Sequence, residues 1–176
     1  MRLVFEPVSG VNKNLLPECV YDFISHFDDS QAIKVAEIDP SFADGDLLSK
    51  KYDIPYEMEV NCLVVEGRRG ENRRYVALLV PYGKRANTNA LVKRHLDAAK
   101  VSFADIEYVT EATGMEFGSI TPIGLPKDWL ILADKSLLEQ KYLVVGGGLV
   151  KSKLLLASHL LAGLPNVNIL DGLAKD

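Results

Sequence analysis

Cysteine is scarce in this chain: Cys19 and Cys62 stand in unrelated contexts and form no CxxC pair. Neither a disulfide framework nor a zinc site is indicated, and a reducing, cytoplasmic setting is expected. Long apolar runs are missing as well. No stretch approaches the roughly 18 residues of a membrane span, and the opening MRLVFEPVSG has neither the apolar length nor the small-residue cleavage pattern of a signal peptide. The expectation is a protein that is neither exported nor membrane-spanning. An excess of positive charge is absent too. The net charge of −4 at pH 7 argues against wrapping long stretches of nucleic acid, because that binding is driven by phosphate neutralisation. The usual catalytic signatures do not occur: there is no HExxH and no GxSxG, and His26, His95 and His159 lie far apart in unlike contexts.

What is present is ordinary globular material, 176 residues with 48% hydrophobic and 25% charged side chains and no low-complexity tract. That length buries a core without help from metals or disulfides, and one domain ordered nearly throughout is expected. Within it, residues 1–29 read as an N-terminal extension packed on a core of residues 30–165. Val20, Phe23, Ile24 and Phe27 recur at helical spacing after Pro17, predicting a helix over 17–27. Residues 32–38 read as a strand, and a short helix follows within 39–52, ending before Pro55.

Two β-rich runs, 61–66 and 73–81, are separated by the turn-forming GRRGEN and predict an antiparallel pair. Residues 89–96 predict a helix, 100–103 a strand, and 105–113 a helix stopped by Gly114. Strands are expected at 130–133, 142–145 and 154–156, the last two joined by a turn that begins at Gly146, and Ser158 is expected to cap a helix over 158–164. This mixture of hairpins and helical crossovers points to an α/β fold with a mixed, strongly curved sheet and surrounding helices.

Candidate chemistry gathers in few places. The run Gly146, Gly147, Gly148, Leu149, Val150, Lys151, Ser152 departs from a phosphate loop, since Val150 stands where close backbone approach needs glycine and a strand follows instead of a helix. It reads as a tight turn. The segment TGMEFGSITPIGLP, with Gly114, Gly118, Gly124, Pro122 and Pro126, fixes a backbone path that could turn N–H groups toward a carbonyl. On composition alone it reads first as a rigid connector between a helix and a strand. Arg68, Arg69, Arg73 and Arg74 surround one turn and Lys84 and Arg85 another, and each cluster reads first as a solvated surface. Asp134 reads as a helix cap, Cys62 as a small buried hydrophobe.

The order EVNCLVV, ALLVP, KVSFA, TGMEFGSITPIGLP, LILADKSLL and YLVVGGG resembles the YbaK/prolyl-tRNA synthetase-associated domain family, over roughly residues 33–160. Its sharpest motif is the GxxxP loop, met by Gly118 and Pro122 with Gly114 and Gly124 as flanking glycines. The resemblance implies an aminoacyl-tRNA deacylase acting in trans, without metal or cofactor. It implies that Gly118, Ser119 and Asn61 serve the reaction, and that Gly114, Ile120, Thr121, Pro122, Gly124, Cys62, Gly146, Gly147 and Ser152 surround the substrate. Arg73, Arg74, Lys84 and Arg85 would meet the acceptor end of the tRNA. Two departures stand out: Asn61 and Cys62 occupy the places of a strand lysine and a small hydroxyl residue, and Ser152 stands near a position that is acidic in some members. An amide can hydrogen-bond to ribose or phosphate but carries no charge. The other reading of the same fold is a binding module that holds a small molecule or RNA without hydrolysis.

Overall fold

The computed structural model describes residues 2–176. In chain order its strands and helices are β1 (Glu6–Pro7), α1 (Glu18–Ser25), β2 (Ile33–Glu37), α2 (Gly45–Tyr52), β3 (Val60–Arg69), β4 (Asn72–Pro81) and β5 (Arg85–Ala86), followed by α3 (Lys93–His95), β6 (Lys100–Phe103), α4 (Ile106–Thr113), β7 (Leu130–Asp134), β8 (Tyr142–Gly146), β9 (Ser152–Ala157), β10 (Val167–Leu170) and β11 (Ala174–Lys175).

The mixed α/β architecture is present, with its strands divided between two principal sheets. One has the order β10-β7-β4-β3-β6, the other β1-β2-β9-β8, and β11 pairs with β5 in a short ribbon. The first sheet is mixed: β3 runs antiparallel to β4 and β6, while β7 lies parallel to both β4 and β10. A parallel bridge between Glu59 and Val144 joins the two sheets at one edge.

β4 explains why its sequence lacks alternation. Ala77 and Leu79 face the core between the sheets, beside Ile33, Val35, Leu143, Leu154 and Leu156. Val76, Leu78 and Val80 face a second core with Val92, Leu96 and Leu173. A strand buried on both faces needs a continuous apolar run. The α1 helix contributes Val20 and Ile24 to the core between the sheets, so residues of the N-terminal extension help to build it.

The β3–β4 hairpin is tighter than its sequence suggested. Its register runs from Val60 opposite Pro81 to Arg69 opposite Asn72, leaving only Gly70 and Glu71 in the turn. Arg68 and Arg69 therefore belong to a strand. The expected helix over 89–96 opens as a π turn at Thr88–Val92 and tightens only in α3. Ser158 makes no cap hydrogen bond: Ala157 holds the cap position and Ser158–Gly163 is a 3₁₀ segment. Asp134 does cap, its Oδ1 accepting from Ser136 N–H at 2.9 Å while Oδ2 accepts from Ala174 N–H at 2.7 Å.

The triple-glycine turn is tied to the N-terminal extension through Ser152, a fully buried residue whose hydroxyl donates to the Leu15 carbonyl at 2.7 Å. Ser152→Ala leaves that carbonyl without this donor. It should lower unfolding stability by about 1–3 kcal/mol, read as a shift of the urea midpoint at unchanged m-value.

Candidate substrate cleft

A cleft of about 750 Å³ opens between the start of α2, the first half of β3, the β6–α4 corner and the ends of β8 and β9. Asn61 and Cys62 line it from β3, Gly118 and Ile120 from the glycine- and proline-punctuated loop, and Gly146 from β8. Of the candidate residues, these five are brought together. At this end β3 has only β4 as a ladder partner, since β6 pairs with it from Val65 onward. Phe103 and Phe117 stand exposed at the rim, 72% and 68% accessible, and Ile106 lies beside them.

The other candidates are placed elsewhere. Ser119 is buried and its hydroxyl donates to the Leu149 carbonyl at 2.8 Å, away from the cleft. Gly114, in a left-handed conformation, ends α4. Thr121 is fully buried, and Pro122 and Gly124 line a different groove beside Cys19 and Phe23. The loop thus threads the protein, with only residues 117, 118 and 120 facing the cleft. Gly147 and Ser152 are buried against each other behind it. Arg73 lies near Glu66 at 3.4 Å, and Arg74 is opposite Gly67 at the far end of the hairpin. Lys84 pairs with Asp176, and Arg85 lies in the short ribbon with Lys175. The three histidines are exposed and none lines the cleft.

Two features position the loop. Gly118 has φ +85°, a conformation costly for any residue with a side chain, and a Cβ added there would meet nothing within 4 Å. Its constraint is the backbone angle, and its open side is the cleft. A Cβ on Gly146 would lie 2.7 Å from the Ser119 carbonyl oxygen and 3.0 Å from that of Ile120, so glycine there is what permits the loop to lie on β8. Among the described residues, the N–H groups of Gly118 and Ile120 have no acceptor in the protein.

The sequence reading missed the charged end of the cleft. Glu59 and Lys153 both line it, only 4% and 7% accessible, with Asp44 nearby. Ser49 donates its hydroxyl to Glu59 Oε2 at 3.2 Å. Burial raises the Glu59 carboxyl above its ordinary range, opposed by the Lys153 charge and the Ser49 hydrogen bond. Burial likewise lowers the Lys153 ammonium, opposed by Glu59 and Asp44. The visible signal was a lysine within the otherwise apolar strand SKLLLA. Burial also pushes the Cys62 thiol up to about 12, which keeps it protonated at neutral pH and a poor nucleophile.

Residues 40–163 match the sequence profile of the aminoacyl-tRNA editing domain. The chain belongs to that family. Among solved structures, a protein described as a candidate trans-editing enzyme for prolyl tRNA synthetase is 20% identical, with a TM-score of 0.75 over 92% of this chain and 99% of its own. A hypothetical protein is 21% identical with a TM-score of 0.77, covering 90% of this chain and 100% of its own. A scaffold used for grafting epitope backbones is 20% identical with a TM-score of 0.76, over 90% and 96% of the two chains. At these identities the likeness is one of fold. No curated protein matches the sequence. In this editing domain no helix of the described residues is long and apolar enough to cross a membrane, and no group of His, Cys, Asp and Glu among them could hold a metal ion.

The Thr121 hydroxyl is buried without a hydrogen-bond partner. Thr121→Val should therefore leave the denaturant midpoint unchanged or raise it, because a buried polar group without a partner carries a desolvation penalty of about 1–3 kcal/mol. Gly146→Ala should lower the midpoint, since the added methyl meets backbone at 2.7 Å. Midpoints of the wild type and both variants, measured side by side, check the pair.

Proposed function

We propose that this chain is an aminoacyl-tRNA deacylase acting in trans, hydrolysing the ester of mischarged tRNA in the 750 Å³ cleft. The observation that carries this reading is that Gly118 and Ile120 line the cleft on a clamped loop while their N–H groups find no acceptor among the described residues. Donors fixed in advance stabilise the oxyanion that develops as an ester carbonyl is attacked, without reorganising at that moment. The family membership and the near-complete coverage of a candidate trans-editing enzyme support the same activity.

Water is the nucleophile in this reading. Cys62 is protonated, Ser119 is turned away and the histidines lie outside the cleft, so positioning and electrostatics supply the main acceleration. Asn61 hydrogen-bonds to the terminal ribose or phosphate. Phe103 and Phe117 offer faces on which unpaired bases of the acceptor end stack, as single-stranded RNA commonly does on aromatic side chains. Arg73 and Arg74 lie seven and six strand positions from Val80, the partner of Asn61, distances of roughly 23 and 20 Å. They meet the acceptor stem and not the last nucleotide.

Deacylation of a panel of tRNAs, each charged with a different amino acid, tests this. Wild type should hydrolyse a subset; Gly118→Val should abolish hydrolysis with the circular dichroism spectrum kept, Asn61→Ala should slow it, and Asn61→Lys should leave it intact or raise it. Neutralising Arg73 and Arg74 should weaken tRNA binding and flatten its salt dependence by about 0.9 in log–log slope per lost duplex phosphate contact. If neither wild type nor Asn61→Lys hydrolyses any member of the panel, the deacylase reading is wrong and the binding-module reading takes its place.

A further inference from the structure

Lys153 is the only cationic side chain that lines the cleft among the described residues. On β9 it stands opposite Ala36 of β2 on one side and Gly146 of β8 on the other. Residues directly opposite across a ladder project from the same face, so the lysine stem is flanked by a methyl group and by no side chain at all. The space in which a Cβ of Gly146 would lie is bounded by the Ser119 and Ile120 carbonyls. Lys153 therefore rises from the cleft floor on the side of the sheet where the loop carrying the Gly118 and Ile120 donors is laid down. No carboxylate among the described residues lies within ion-pair distance of its ammonium, although Glu59 and Asp44 face the same recess.

Resting on the deacylase reading, we infer that Lys153 is a catalytic residue whose ammonium contacts the reacting ester and offsets the negative charge that develops on its oxygens. Water oxygen bonds to the carbonyl carbon, the bond from that carbon to the ribose oxygen breaks, and the water proton ends on the ribose oxygen. The products are the free amino acid and the uncharged tRNA. Lys153 neither gains nor loses a proton in the net step. Glu59, held by Ser49, is a positioning residue that keeps the lysine charged in a buried site.

The charged groups that face Lys153 are Glu59, just before β3, and Asp44, at the cap of α2; Cys62 is the remaining ionisable group of the lining. The sign of the pH dependence follows. Burial lowers the lysine pKa and the two carboxylates hold it up, so catalysis is lost as pH rises through a value below the ordinary lysine range. Removing the Glu59 charge moves that loss to lower pH. An arginine at 153 does not titrate in this range and should remove the alkaline limb while keeping part of the rate.

The experiment measures single-turnover deacylation of the wild type's best substrate from pH 6 to 9, with the uncatalysed rate subtracted. Lys153→Met is expected to cost about 10²–10³-fold in rate, the loss seen when one donor to a developing oxyanion is removed. Lys153→Met combined with Glu59→Gln, which leaves no unpaired buried charge, should be folded by thermal melt and equally slow. Glu59→Gln should shift the alkaline limb downward. Full activity in folded Lys153→Met or in the double variant overturns this inference and leaves the deacylase reading standing. So does a limb that stays in place in Glu59→Gln, or a change confined to which amino acid is preferred. A wild type inert on every charged tRNA overturns both.

Discussion

Four hydrogen bonds lace the cleft loop to the triple-glycine turn. Glu116 N–H donates to the Gly148 carbonyl at 2.8 Å and Gly148 N–H returns one to Ser119 at 2.9 Å. The Ser119 hydroxyl reaches Leu149 at 2.8 Å, and Val150 N–H donates to Glu116 Oε2 at 2.7 Å. Two of these bonds are backbone to backbone and two use a side chain, and the close approach exists because Gly146 has no Cβ to hold the loop off. A loop on the surface is ordinarily among the more mobile parts of a protein. Here the lacing fastens residues 116–119 to the turn that follows β8, so that Gly118 is carried between two tied points.

The electrostatics of the cleft follow from where polar groups were left inside. Most of its wall is apolar, formed by Val60, Leu63, Val64, Ala104, Val109 and Ile120. Against that wall a glutamate and a lysine are buried without a close ion pair, a placement that costs stability unless something outside the fold compensates. Groups so perturbed by desolvation and by one another concentrate at working sites. The cleft therefore combines an apolar wall, two loop residues whose N–H groups have no acceptor among the described residues, and a buried lysine with Glu59 and Asp44 in the same recess.

Much of the fold was legible because it is written in local patterns. The α1, α2 and α4 helices, the β3–β4 pair and the strands β6 to β9 follow from periodicity, punctuation and caps such as Asp105 and Gly114. The length of the hairpin was not, because GRRGEN offers two glycines and only the cross-strand register decides that Arg68 and Arg69 remain in the ladder. β11, with two residues, is too short to show alternation. At the site, the loop of residues 114–126 could be singled out by composition, but its threading could not. That Ile120 faces the cleft while Thr121 faces the core and Gly124 another groove is set by packing on Gly146 and Cys19. Lys153 was hidden because a lysine in a strand ordinarily marks solvent, and only the sheet order buries it.

The parallel pairings around β7 bear on how the chain reaches this state. The hairpin of β3 and β4 closes through a two-residue turn, a local event on the microsecond scale. Its Val76–Leu78–Val80 face, however, is completed by Leu173, fully buried there, and β7 receives its second neighbour only from β10. During synthesis at about 5–20 residues per second, the residues that finish this surface emerge roughly 5–20 s after those that begin it. Through that interval the nascent polypeptide on the ribosome, rather than the finished protein, exposes the stickiest strip of the fold.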